Sequence, residues 1–110
     1  MKVEQKGNAT IIRDTQRNLS SFIEKLQLEH ESFKSQNLIL DITHDTDLTI
    51  KEIKLFSDLS KIHKIHKKSF VIVAQDINFN EVPIKLDVVP SILEAHDIIE
   101  MEEIERDLGF

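Results

Sequence analysis

Asn37 to Glu100 constrains the fold of this chain more tightly than any other stretch, because short apolar runs alternate there with amphipathic segments that each open on a capping box. Asn37-Leu-Ile-Leu-Asp-Ile-Thr43 is a brief apolar run ending in polar residues, the pattern of a buried strand. Thr49-Ile50-Lys51-Glu52 then opens a helix. The Thr49 hydroxyl can accept from the Glu52 amide while the Glu52 carboxylate accepts from the Thr49 amide, and Leu48 and Ile53 stand where a hydrophobic staple belongs. Ser91-Ile-Leu-Glu94 repeats the device, with Pro90 barring helix upstream. Between them Ser69-Phe-Val-Ile-Val-Ala74 is almost wholly apolar, which suits a central strand covered on both faces. Leu38, Leu40, Phe70, Ile72 and Val73 are therefore expected to be buried in neighbouring strands of one sheet.

The flanks complete an α/β domain. Lys2–Gln5 and Ala9–Asp14 surround Lys6-Gly7-Asn8, which reads as a tight hairpin turn. A first helix is predicted from about Gln16 to Ser35, with Leu19, Phe22, Ile23, Leu26 and Phe33 as its apolar stripe. The second helix is predicted from Ile50 to about His66, burying Ile53, Phe56, Leu59 and Ile62. Gln75 to Ile84 is too irregular to assign, and Leu86–Val89 is a short strand ended by Pro90. The third helix runs from Ile92 to about Leu108, with Ala95, Ile98, Ile99 and Met101 or Ile104 facing inward. Gly109 fits the left-handed position after it, and Phe110 can fold back on Ile104. The expectation is an α/β single domain over residues 1–110: one mixed β-sheet layer with an N-terminal hairpin, about five strands and three packed helices.

Composition narrows the function classes. No apolar run approaches the roughly 20 residues of a membrane-spanning helix, so no membrane insertion is expected. Met1-Lys-Val-Glu-Gln-Lys6 has no apolar signal core, and there is no Cys for a disulfide, a thiolate nucleophile or a zinc site. Cytoplasmic residence is the expectation. The net charge of −6 is unevenly placed: residues 51–68 hold six Lys and two acids, whereas residues 69–110 hold two basic and ten acidic groups. Such a dipole reads first as two solvated helix faces and, functionally, as a means of steering a charged protein partner.

Three segments resemble the STAS family, the fold of anti-sigma-factor antagonists. Leu38-Ile-Leu-Asp41-Ile-Thr43 looks like the family's apolar strand ending in Asp-Leu-Ser, and Lys68-Ser-Phe-Val-Ile-Val73 like its strand after the long helix. Leu86-Asp-Val-Val-Pro-Ser-Ile-Leu-Glu-Ala95 looks like its last strand and helix. The resemblance covers roughly residues 37–104. It departs at the N-terminus, where antagonists place more strand and Gln16–Ser35 here looks helical. It departs again at the phosphorylation motif, Asp-Ser-Ser/Thr-Gly, which falls on Thr49-Ile50-Lys51-Glu52 and leaves Ile50 or Lys51 at the regulatory hydroxyl position.

Candidate chemistry is sparse. His63 and His66 stand i, i+3, a spacing open to metal but more simply explained as complementing a helix C-terminus, so no metal is assigned. Asp41, His44, Asp45, Thr46 and Asp47 cluster after a core strand, where open α/β sheets bind ligands, or else make solvated turns. There is no phosphate-cradling Gly loop, no nucleophile elbow and no cofactor motif. Lys61, Lys64, Lys67 and Lys68 form a basic run, but overall acidity and the lack of Tyr or Trp argue against nucleic acid. The resemblance implies a non-enzymatic protein-interaction module that uses His44, Asp45, Thr46, Asp47, Lys51 and Lys54 to meet a protein partner. Its alternatives are an antagonist switched by phosphorylation of Thr46 or Thr49, and an enzyme or small-ligand binder built on Asp41, His44 and Asp45.

Overall fold

A computed structural model describes residues 1–109, so the contact expected of Phe110 lies outside the described residues. The fold is α/β, with a five-stranded mixed sheet in the order β1-β2-β3-β4-β5. β1 (Lys2–Lys6) and β2 (Ala9–Arg13) form an antiparallel hairpin closed by Gly7, whose φ of +63° is left-handed. β3 (Asn37–Asp41), β4 (Phe70–Val73) and β5 (Asp87–Val89) then add in parallel.

Every residue of β3 and β4 is buried, and alternation divides their side chains between two cores. Ile12, Leu38, Leu40, Phe70 and Ile72 face α1 (Leu19–Phe33) and the helical arm that begins at Ile50. Ala9, Ile11, Ile39, Val71 and Val73 face α4 (Ile92–Asp107), which seals them with Ala95 and Ile99. All five core residues expected from the sequence are buried in β3 and β4. β1 is mostly exposed, and its lysines suit an edge strand that must not pair further.

α1 starts at Leu19 rather than Gln16. Arg17 is left-handed (φ 53°) and cannot continue a helix, while the Asn18 side chain accepts from the Ser21 amide at 3.1 Å as the N-cap. The arm after β3 is interrupted: α2 (Ile50–Ile53) passes through a 3₁₀ turn, Lys54–Phe56, into α3 (Ser57–Ile65). Ile53, Phe56 and Leu59 are buried as expected, but Ile62 is 50% exposed. A strict i+3 series drifts by about 60° per step at roughly 100° per residue, so the inward position passes to Ser60 and His63.

α4 corrects a second expectation. Ala95 and Ile99 are buried, and Ile98 packs partly against the same core. Met101 and Ile104, however, are 62% and 59% exposed. Beyond Ile99 the inward face is polar instead. Arg106 Nη2 donates to Glu103 Oε1 (2.7 Å) and Ser69 Oγ (3.1 Å). Buried Asn37 donates to Glu103 Oε1 (2.9 Å) and to the Asn8 carbonyl (3.0 Å), and accepts from the Ser69 amide (2.9 Å). This network ties the last turns of α4 to the beginnings of β3 and β4.

Both predicted caps form. Thr49 and Glu52 make the two halves of a capping box, and Leu48 packs against the core that contains Ile53. Ser91 accepts from the Glu94 amide at 3.2 Å, but the Glu94 carboxylate bonds the Ser91 hydroxyl (3.0 Å) and not its amide, so Ser91 is an N-cap without the reciprocal half of the expected box. Thr49→Ala and Ser91→Ala are each expected to lower stability by ~1 kcal/mol through the lost cap bond. Urea midpoints of the two variants measure this, and an unchanged midpoint for Thr49→Ala would show that its hydroxyl does not anchor α2.

Candidate functional site

Parallel pairing sets Arg13 opposite Asp41, so β2 and β3 end at one edge and their following loops adjoin. The Asp14 amide donates to the Asp41 carbonyl at 3.1 Å and knits these loops together. Left-handed residues other than Gly occur in three of the four loops that leave this edge: Arg17 after β2, Asp47 after β3 and Asp76 after β4, with φ of 53°, 56° and 58°. The sharp turns form a shared rim, built without Gly in a chain that has only two.

Asp41 is fully engaged. Its Oδ2 accepts from Arg13 Nε at 2.9 Å, and its Oδ1 accepts from the Thr43 amide (3.0 Å) and hydroxyl (2.7 Å). Burial pushes the Asp41 carboxyl upward, but the Thr43 bonds and the Arg13 guanidinium together outweigh it and hold the pKa below its ordinary value. A buried carboxylate with both oxygens occupied is an anchor for the loop, not a free acid or base.

Asp45 stands differently. It is 9% exposed, and its carboxyl lies near that of Asp14, which is also buried. Asp14 Oδ1 accepts from the Gln16 amide at 3.0 Å, whereas the Oδ2 atoms of Asp14 and Asp45 are buried without a partner among the described residues. Burial, the facing Asp14 and the charge of Glu52 push Asp45 up to about 7, against a smaller opposing pull from Arg17. A proton on Asp45 directed at the Asp14 carboxylate turns a repulsive contact into an O–H···O bond.

The remaining residues expected at this site, His44, Thr46, Asp47, Lys51 and Lys54, are exposed. Thr49 is also exposed, but its hydroxyl both accepts from the Glu52 amide and bonds Glu52 Oε1, each at 3.2 Å. Asp41, His44 and Asp45 thus do not converge: two are held inside by other partners and the third lies in solvent. Three clefts stand out on the surface of the described residues, and none is lined by any residue from Asp41 to Lys54.

At the far end of the sheet His63 is fully buried, with one ring nitrogen 2.8 Å from the Gln36 carbonyl and the other 2.9 Å from His30 Nε2. Its Nε2–H donates to Gln36 and its Nδ1 accepts from His30, which requires a neutral ring. Burial pushes His63 down to about 4, opposed by the Gln36 bond and aided by His30, His66 and Lys68. A neutral, buried His63 does not act as a cation on the helix end, the role that sequence spacing suggests for it. Among the described residues no group of three or more His, Asp or Glu is placed to hold a metal ion.

Arg13 and Asp14 escape a reading of the chain by local motif. A signal for Asp14 exists: Ala9–Asp14 is an apolar run followed by an acid, as Leu38–Asp41 is, and two such strands in parallel bring their acids to one edge. The sequence matches no protein-family model, and a search of curated proteins finds no match.

The Asp14–Asp45 pair predicts an unusual pH dependence. Because the folded pKa of Asp45 (about 7) exceeds its ordinary 3.8, the stability due to the shared proton is complete below 3.8 and is lost as pH rises through 7. Asp45→Asn keeps a donor toward Asp14 without the titration, so at pH 8 it is expected to be more stable than the parent by ~1 kcal/mol or more, the worth of one pKa unit. The gap closes toward pH 5. What remains in the variant includes the opposite trend from His63, whose folded pKa of about 4 lies below its ordinary 6.5, so that stability falls as pH drops between them. Urea midpoints at pH 5 and 8 decide it, and a variant no more stable at pH 8 would rule out the shared proton.

Proposed function

We propose that this chain is a non-enzymatic, cytoplasmic, STAS-like protein-interaction module. It engages an acidic protein partner through the loop His44–Leu48 and the start of α2. The observation that carries the reading is the contrast at the C-terminal edge of the parallel strands. The carboxyls that could do chemistry there, Asp41 and Asp45, are buried in internal contacts, whereas His44, Thr46, Asp47, Lys51 and Lys54 project from an anchored rim. A rim of exposed polar groups outside the three main clefts favours recognition of a surface over turnover of a small molecule.

The STAS likeness is supported by the element order: a hairpin, a helix, and then strands alternating with helical segments. No described helix is long and apolar enough to cross a membrane, in keeping with that setting. The usual phosphoswitch is absent in this reading. The matched position holds Ile50 or Lys51, and the neighbouring Thr49 hydroxyl is occupied by its cap.

The test compares partners recovered from native cytoplasm by the parent chain and by a Lys51→Glu/Lys54→Glu double variant, quantified by mass spectrometry. The expected outcome is a partner retained by the parent and depleted at least about tenfold by the variant, with unchanged urea midpoints because both lysines are exposed. Identical sets of retained proteins would sink the proposed surface. Phosphate on Thr46 or Thr49 at substantial occupancy would favour the phosphorylation-switched antagonist instead.

A further inference from the structure

Two surface features remain unused by that reading, and they match each other. The first is an open groove of about 860 Å³ between α3 and the segment leading into β5, whose apolar lining is Ile65, Pro83, Ile84 and Leu86 and whose charged lining is Lys61, Lys64 and Lys85 with the single acid Asp58. Ile84 is fully exposed and Ile65 is 70% exposed. Neither Lys61 nor Lys85 forms an ion pair among the described residues, whereas Lys64, beside them, is bound to Asp87 at 3.3 Å. The groove thus joins an apolar wall to a net positive set of side chains, three Lys against one Asp.

The second feature is the outer face of α4. Leu93, Met101, Ile104 and Leu108 are each more than half exposed. On a helix of roughly 100° per residue they fall within an arc of about 80°, so they form one stripe. Exposed Asp97 lies within the stripe, and exposed Glu100 and Glu105 border it. This face is an amphipathic helix surface with the opposite sign to the groove. Neither patch belongs to the scattered single apolar residues of an ordinary surface.

One chain cannot join the two. α3 packs on the side of the sheet that holds Phe56, Leu59 and Phe70, and α4 packs on the other side over Ile39, Val71 and Val73. We propose that the groove beside α3 receives the outer face of α4 from a second copy of this chain. Ile104 and its neighbours enter the groove, and Asp97, Glu100 and Glu105 face Lys61 and Lys85. Groove and stripe are different patches on opposite sides of the molecule, so the contact is head-to-tail. Each associated copy still offers one groove and one stripe, and assembly continues beyond two unless it closes into a ring. The interface is separate from the rim at His44–Leu48 and does not depend on the function proposed for it.

Two variants with substitutions at exposed positions test this by sedimentation velocity. Lys61→Glu/Lys85→Glu removes the groove, and Met101→Lys/Ile104→Lys removes the stripe. The parent chain is expected to associate increasingly with concentration, weakening at least about tenfold between low salt and 1 M, where the screening length shrinks to about 3 Å. Each variant alone is expected to remain monomeric. Their equimolar mixture is expected to give a species of twice the monomer mass and nothing larger, because one contributes the surviving stripe and the other the surviving groove. A parent that stays monomeric at low salt and high concentration would overturn the proposal. So would a mixture that fails to pair, or a groove variant that still self-associates.

Discussion

Because β3 has no face in water along its whole length, the chain must supply a helical layer on each side of it, and most of the architecture follows from that obligation. Parallel pairing to β2 and β4 requires crossovers that traverse a face. α1 and the α2–α3 arm supply them, and both lie over the core that contains Leu38 and Leu40. The opposite face, with Ile39 at its centre, is left to α4. The same geometry fixes where polar groups can gather. The ends of the buried strands are the only points where the chain leaves the sheet, and the two polar networks sit there: Arg13, Asp14, Asp41 and Asp45 at one edge, Asn37, Ser69, Glu103 and Arg106 at the other.

These networks answer different demands. Asn37, Glu103 and Arg106 satisfy one another, so the network clamps α4 without leaving an unpaired buried charge. The Asp14–Asp45 contact places like groups together and is tolerable only with a proton between them. At the α1–α3 contact, His30 and His63 form a third arrangement in which a buried ring stays neutral and uses both nitrogens. The exposed loop at His44 is anchored at its base by the bonds of Asp41 to Arg13 and Thr43.

The sequence makes the fold legible wherever a local rule decides the outcome. The capping box at Thr49 and the N-cap at Ser91 depend on residues three apart, and the strands at 38–42 and 69–74 on continuous apolar runs, so each can be read without knowing its neighbours. The errors lie where tertiary contacts decide. Ile62 looks inward by i+3 counting but yields to His63, because His30 and the Gln36 carbonyl offer that ring two partners. Met101 and Ile104 are apolar yet outward, because Asn37 and Ser69 claim the facing turns for Glu103 and Arg106. At the candidate site the exposed loop was readable from turn residues, whereas Asp14 was not. It joins Asp45 through the pairing of β2 with β3, a relation across some thirty positions that no window on the sequence contains.

The placement of α4 has a consequence for how the chain comes into being. All five strands precede α4 in sequence, so the face carrying Ala9, Ile11, Ile39, Val71 and Val73 has no cover until those sixteen residues are made. At translation rates of roughly 5–20 residues per second, that interval is about one to three seconds. During it the nascent chain holds an almost complete sheet with one greasy side in water, and collapse onto a neighbouring nascent chain competes with closure. The helix that ends this exposure also carries Asp97, Glu100, Glu105 and Asp107 on its exposed surface, so the lid and a large share of the chain's negative charge reach the molecule together.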